Sequence, residues 1–335
     1  MRQVRFAVLS VAAVMALTAC SSPSGGGDTA GDAPAGAVED IQIIVPADPG
    51  GGWDQTGRAM SSLLTAEGIV SSAPVTNIGG AGGTVGLASL ANEKDPNTLM
   101  VTGLVMVGAV ETNAAQNRME DTTPIARLTE EPLVVVVPEA SPYETLEDLV
   151  DDIVENGQDV TITGGSAGGA DHILAGLLLE EAGLSGAEIS ESLNYIPNSG
   201  GGEAVSLILG NNASAGISGI GEFLEHIEAG TMRALAVSSA ETASLLPDTP
   251  TITEEGYDLV LTNWRGLLAP TGITEDERAG LIDLVTELHD SSAWTEELET
   301  RGWDDAFLAG DDFSGFLDDN IAEVSTTLKN IGLVS

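Results

Sequence analysis

Four glycine-rich clusters hold most of the chemistry this sequence offers. They are Pro49-Gly50-Gly51-Gly52-Trp53-Asp54, Gly79-Gly80-Ala81-Gly82-Gly83-Thr84, Gly164-Gly165-Ser166-Ala167-Gly168-Gly169 and Ser199-Gly200-Gly201-Gly202-Glu203. Each follows a β-like run and precedes a helical pattern. Such a turn lets backbone N–H groups approach a ligand without interference from Cβ, and the helix N-terminus behind it adds partial positive charge. In open α/β sheets ligands sit beyond the carboxyl ends of strands. Two turns from each of two lobes, facing across a cleft, would build an anion site from neutral groups. Taken singly, each cluster is also what a tight turn requires.

Other motifs compete for the same residues. Gly164-Gly165-Ser166-Ala167-Gly168 matches the G-x-S-x-G nucleophile elbow and follows a strand pattern. A hydrolase would then need a histidine on a strand-end loop, but His226 falls within a helical pattern and His289 near a helix end. Gly80-x-Gly82-x-x-x-Gly86 loosely matches a dinucleotide fingerprint, yet no acid ends the next strand, Thr98–Gly103. Three histidines and one cysteine, Cys20, offer no metal cluster. No catalytic residue, metal or cofactor is therefore expected. His172 opens a helix beside the third turn, as a backbone-bonded residue or as a neutral donor to a ligand. Asp54 and Asp171 stand at helix starts, where carboxylates cap and fix turns and can also order a water or bind an amino or hydroxyl group.

The elements that must position these turns alternate between the two kinds. Ile41–Pro46, Pro74–Ile78, Thr98–Gly103, Leu133–Val137, Val160–Thr163, Ser192–Ile196, Ser214–Ser218, Arg233–Ser238 and Leu259–Leu268 read as strands. Trp53–Ala66, Thr84–Asn92, Thr145–Asn156, Ala170–Ala182, Glu203–Leu209, Glu222–Glu228, Thr274–Asp290, Trp294–Thr300 and Asp312–Asn330 read as helices. Thr145 and Asp148 fit a capping box. Alternation of this kind predicts an α/β fold with parallel sheets covered by helices, and the length suits two lobes. The expected lobes are 41–124 with 240–335, and 125–239 as an insertion.

Composition narrows the function. The 335 residues carry 11 Lys+Arg against 52 Asp+Glu, a formal charge of −41 that excludes a general nucleic-acid binder. With 42% hydrophobic residues it is no disordered acidic tail. Arg2 and Arg5, then the apolar stretch Phe6–Leu17 and Leu17-Thr18-Ala19-Cys20, read as a secretory signal (1–19). Its closing residues resemble a bacterial lipobox, which would make Cys20 a lipidated N-terminus. Residues 20–40, rich in Gly, Ser, Ala and Pro, read as a flexible tether outside the membrane. Signal removal deletes two of the 11 basic residues and no acid, taking the charge from −41 to −43. A body so acidic must attract a carboxylate through short-range dipoles rather than its general field, so affinity should not fall steeply with salt.

The motifs together resemble the substrate-binding proteins of tripartite tricarboxylate transporters, the Bug family. The resemblance runs through Val45-Pro46-x-x-Pro49 to Asp54, Asn77 to Gly86, Pro124 to Leu128, Gly164 to Gly176, Tyr195 with Ser199 to Ala204, Arg233 to Ser238, Pro250-Thr251 and Asn263 to Pro270. It implies a two-lobe Venus-flytrap receptor of the periplasmic-binding type, not an enzyme. Such a receptor hands a small di- or tricarboxylate, or a related organic acid, to a permease of large and small subunits. It further implies ligand contacts from Gly50, Gly51, Trp53 and Asp54 in the first lobe. In the second lobe it implies Ser166, Ala167, Gly168, Asp171, His172, Ser199 and Gly200. Ala170 departs from the family, many members of which carry Thr or Ser there. Arg265 is the best-placed cation by its sequence context, either for the ligand or for a structural ion pair. A sensor passing the same ligand to a histidine kinase is the alternative role, and a serine hydrolase through Ser166 a second.

Overall fold

A computed structural model of the chain describes residues 38–198 and 201–334. The signal, the lipobox Cys20 and most of the tether lie outside the described residues, as do Ser199 and Gly200.

The chain opens with β1 (Gln42–Val45), α1 (Gly52–Ala66), β2 (Val75–Asn77), α2 (Thr84–Leu90), β3 (Thr98–Gly103) and α3 (Leu104–Thr112). A 16-residue strand, β4 (Thr123–Pro138), follows. Next come α4 (Leu146–Asn156), β5 (Thr161–Gly164), α5 (Ala170–Glu181), α6 (Gly186–Ser192), β6 (Asn194–Pro197), α7 (Gly201–Leu209), β7 (Ala215–Gly219), α8 (Ile220–Glu228) and β8 (Met232–Val237). The chain then returns through β9 (Thr262–Ala269), α9 (Glu275–His289), α10 (Ser292–Arg301), β10 (Asp304–Ala309) and α11 (Gly310–Asn330).

The strands join in the order β2-β1-β3-β9-β4-β7-β5-β6, with β8 and β10 also paired to β4. Pairing is parallel at both outer ends, β2-β1-β3 and β6-β5-β7, as the strand–helix alternation predicts. At the centre it is antiparallel. The reason is β4. Its residues Thr123–Pro132 pair with β9, and Leu133–Val136 pair with β7, so one strand runs from one half of the sheet into the other. The strand bends at register shifts against β9, the usual effect of bulges.

Beyond Pro132 the faces of β4 alternate between two cores. Leu133, Val135 and Val137 pack into the large core with α4 and α5 residues such as Leu149 and Leu174. Val134 and Val136 pack into a smaller one with Ile208 and Phe223 of α7 and α8. A strand covered on both faces needs an unbroken apolar run, hence the four consecutive valines.

The sequence left three elements unread. α3 is apolar on every side and buried, so it carries no amphipathic signal. β10 reads Asp-Asp-Ala-Phe-Leu-Ala and is held by antiparallel pairing to β4. α6 begins with a Ser185–Glu188 pair at capping-box spacing, in which Glu188 accepts from the Ser185 amide at 2.8 Å, a signal the sequence does contain.

Candidate functional site

A cavity of about 310 Å³ opens where the two halves of the sheet meet. Gly51, Gly52 and Trp53 line it from the first glycine turn, Gly80–Gly83 from the second, Gly165, Ser166 and Ala167 from the third. Pro197 and Asn198, just before the fourth cluster, line it too. Three of the four turns thus reach one cavity through their described residues.

Two helix starts supply donors. α1 begins after Gly51 and α5 after Gly169, neither with a side-chain cap. The first N–H groups of a helix have no partner within it. Among the described residues, the amides of Gly51, Gly52, Ser166 and Ala167 donate to no protein acceptor. Their positive ends and free donors suit an anion.

The first turn is braced from behind. Asp54 accepts from the Gly50 amide at 2.9 Å, from Arg58 Nε at 2.8 Å and from Asn77 Nδ2 at 2.8 Å. Burial raises its carboxyl, but the bonds from Arg58, Asn77 and Gly50 outweigh this and hold it below the usual range. Asp54 and Gly50 therefore shape the turn and do not line the cavity. Gly50, at φ +105°, takes a backbone conformation other residues avoid.

The third turn is braced the same way. Gly165 donates to Asp171 Oδ2, and its carbonyl accepts from Tyr195 Oη at 3.1 Å and the Asn198 amide at 3.1 Å. The Gly168 amide donates to His172 Nδ1 at 3.1 Å, and the imidazole stacks on Tyr195 at 4.1 Å between ring centroids. Burial pushes His172 down to about 4, so the ring is neutral and its Nδ1 is spent on the turn. Gly168 and His172 stand behind the lining. Asp171 does line the cavity, and its carboxyl is pushed up to about 8. Burial is the main cause, Glu222 and Glu131 add to it, and the Gly165 amide opposes it.

Arg265 reaches the cavity from β9 and is 3% exposed. It forms an ion pair with Glu131 of β4, which is 8% exposed. The register explains the meeting: Glu131 lies directly opposite Asn263, and Arg265 is two residues along on the same face. The guanidinium also lies 5.0 Å from the Trp303 ring centroid, a cation–π contact. A Cβ on Gly52 would sit 2.3 Å from Arg265 Nη2, so only glycine lets the guanidinium approach the start of α1. Arg265 is thus both the ion-paired cation and the cation of the cavity. Its Nε and Nη1 have no partner among the described residues.

Sequence reasoning singled out none of Glu131, Ser218 and Glu222, and took Asn263 only as part of a motif segment and not as a site residue; all four line the cavity. Glu131 and Asn263 face it only through the β4–β9 register, which the sequence does not display. Ser218-Gly219 followed by Glu222 is a strand-to-helix turn of the same kind as the others, with less glycine to mark it.

Parts of both halves already touch across the cavity. Thr112 Oγ1 of α3 donates to the Ala167 carbonyl at 3.3 Å, and a Cβ on Gly108 would lie 1.8 Å from the Gly168 carbonyl oxygen. Among the described residues no histidine is hydrogen-bonded to Ser166. Ser166 Oγ is buried without a partner among the described residues. His226 contacts Thr231, and His289 contacts Asp290 and Asp305.

Comparison with known proteins agrees with this geometry. Residues 60–333 match the family described as tripartite tricarboxylate transporter family receptor. BugT of Bordetella pertussis is 28% identical over 298 residues, 87% of this chain and 89% of that protein. Two solved structures from Rhodopseudomonas palustris share the fold. MatC with bound malate has a TM-score of 0.73 at 22% identity, covering 87% of this chain and 99% of that one. Rpa4515 with adipate has a TM-score of 0.78 at 20% identity, covering 88% and 97%.

Proposed function

Because the chain belongs to the tripartite tricarboxylate transporter family of receptors, we propose that its cavity captures a small organic carboxylate for delivery to a membrane permease of large and small subunits. One observation carries the reading. Arg265 Nε and Nη1 and the amides of Gly51, Gly52, Ser166 and Ala167 bring to one cavity donors that have no protein acceptor among the described residues. The malate and adipate held by the two R. palustris proteins are carboxylates of the size this cavity admits.

The lobes 41–124 with 240–335, and 125–239, close on the ligand about β4, which passes from one half of the sheet to the other. Closure brings α1 and the Ser166-Ala167 turn onto opposite sides of one carboxylate. Backbone amides and Arg265 supply the attraction at short range, where the general field of an acidic protein does not help. Ser166 Oγ adds a donor. Gly50, Asp54, Gly168 and His172 hold the turns in shape. The Cys20 lipid anchor keeps the receptor at the outer face of the membrane through the 20–40 tether.

Thermal unfolding of the purified receptor against a broad panel of organic acids tests this. One or a few carboxylates should raise Tm by several degrees. A full panel without a shift would overturn it.

A further inference from the structure

α11 is held by both halves of the molecule. Its body belongs with β9 and α3. Phe313 and Leu317 are buried, Trp264 Nε1 donates to Asn320 Oδ1 at 2.9 Å, and the Trp264 ring meets Phe313 and Phe316 edge-on. The helix also packs along α3. The turn that follows it sits instead on α5 and α6, the helices beyond β5 in the other half. Ile331 is fully buried. Gly332 takes φ +75°, and the turn closes through the Gly332 amide on the Lys329 carbonyl at 3.1 Å and the Leu333 amide on the Leu328 carbonyl at 2.8 Å. This is an ordered, glycine-ended helix cap. Ser190 Oγ of α6 donates to the Gly332 carbonyl at 2.9 Å.

Glycines shape the seat. A Cβ on Gly176 would lie 2.7 Å from Ile331 Cδ1, and one on Gly186 would lie 2.2 Å from the Asn330 carbonyl oxygen. Gly176 stands inside α5, where alanine would be the better helix former. Ile331 is the neighbour that an alanine there would strike. At 1.5 Å per residue, Asn320 and Ile331 are about 16 Å apart along the helix axis. Two holds that far apart, one on each half, resist rotation of the halves against each other. The cavity side shows the same closeness. Thr112 Oγ1 of α3 reaches the Ala167 carbonyl, and Gly108 abuts the Gly168 carbonyl just before α5.

Resting on the closure about β4 described above, we propose that residues 331–334 form a strap that restrains opening of the lobes, so that the unliganded receptor rests near its closed form. Opening must lift Ile331 from α5 or bend α11. Returning that side chain to water depletes the open form by about tenfold or more. Gly176, Gly186 and Ser190 are the parts of the second half that hold the strap.

Spin labels read the gap without any ligand. Ser62→Cys on α1 and Ser206→Cys on α7 are exposed positions, one in each half, and Cys20→Ser removes the one native cysteine. Double electron–electron resonance on the otherwise native receptor should give one narrow distance distribution. Gly186→Ala suits the start of α6 but displaces the strap, and it should lengthen and broaden that distribution by several ångströms. Deleting residues 331–335 is a second route to the same release. Gly108→Ala pries the halves apart at the cavity. Alone it should move the labels little, and combined with Gly186→Ala it should move them further than the two single shifts added together. Released variants that keep the native distribution, or Gly108→Ala opening as far alone as in the combination, would overturn the strap and leave closure standing. Labels that stay in place in every variant would overturn closure as well. A native distribution that is already broad would overturn the strap whether or not the variants fold.

Discussion

Replacing Arg265 by alanine should destabilise the fold far more than a surface change, and a second substitution should undo much of the loss. Arg265 and Glu131 are 3% and 8% exposed and paired. Arg265→Ala leaves the Glu131 carboxylate in that setting with, among the described residues, only the Asn263 Nδ2 donor at 3.3 Å. Breaking a buried pair from one side costs about 3–5 kcal/mol. The lost contact with Trp303 adds up to about 1 kcal/mol. At roughly 2–4 °C per kcal/mol, Tm should fall by about 6–24 °C. Arg265→Met combined with Glu131→Leu removes both charges and fills the space. Such replacements are often neutral, so the double variant should recover at least about 2 kcal/mol relative to Arg265→Ala. Urea unfolding followed by circular dichroism reads both numbers. A single variant costing less than about 1 kcal/mol, or a double variant no more stable than the single, would refute the reasoning. The double variant should still fail to bind ligand, which separates the structural task of Arg265 from its task in the cavity.

Other expectations are independent of that pair. Asp171 titrates at about 8 in the fold, well above an unfolded carboxyl. The native state then binds more protons than the unfolded state between roughly pH 4 and 8, so this group's stabilisation is present in acid and is lost as pH rises to 8. Asp171→Asn should flatten the stability profile over that window, and an unchanged profile in urea unfolding would contradict the assignment. Gly108→Ala drives a methyl into the Gly168 carbonyl. It should weaken ligand binding by tenfold or more and enlarge the liganded radius of gyration by small-angle scattering; unaltered affinity would show that the contact is dispensable. Ser166→Ala should weaken binding by about 2- to 12-fold, the worth of one hydrogen bond. The native Ser166 should not react with a fluorophosphonate, and labelling there would revive hydrolysis. Raising salt from 50 to 500 mM should change Kd by less than about threefold, because screening acts on the repulsion of the body as well as on the site.

Much of the cavity was legible because glycine is legible. Gly51, Ser166 and Ala167 announce themselves by lying between a strand pattern and a helix pattern, and the alternation of those patterns gives the outer, parallel parts of the sheet. What escaped is what depends on pairing between distant strands. Glu131 sits within Thr129-Glu130-Glu131-Pro132, where local sequence offers no reason to prefer it to Glu130. Only the β4–β9 register turns Glu131 inward beside Asn263 and Arg265, while Glu130, opposite Trp264, accepts from Thr262 Oγ1 at 2.9 Å. The antiparallel centre escaped for a related reason. Pro132 looks like the end of a strand, and β4 instead continues through it with new partners. His172 and Asp54 show the reverse case: residues of a chemical type that the fold spends on holding turns.

The central claim is that a carboxylate is held between the first and third glycine turns and Arg265. A crystal structure of the receptor with the tightest-binding acid of the panel tests it most directly. The account predicts carboxylate oxygens within hydrogen-bond distance, about 2.7–3.2 Å, of the Ser166 or Ala167 amide and of Arg265 or the Gly51–Gly52 amides. A ligand bound elsewhere, or one whose carboxylate touches neither turn, would contradict it.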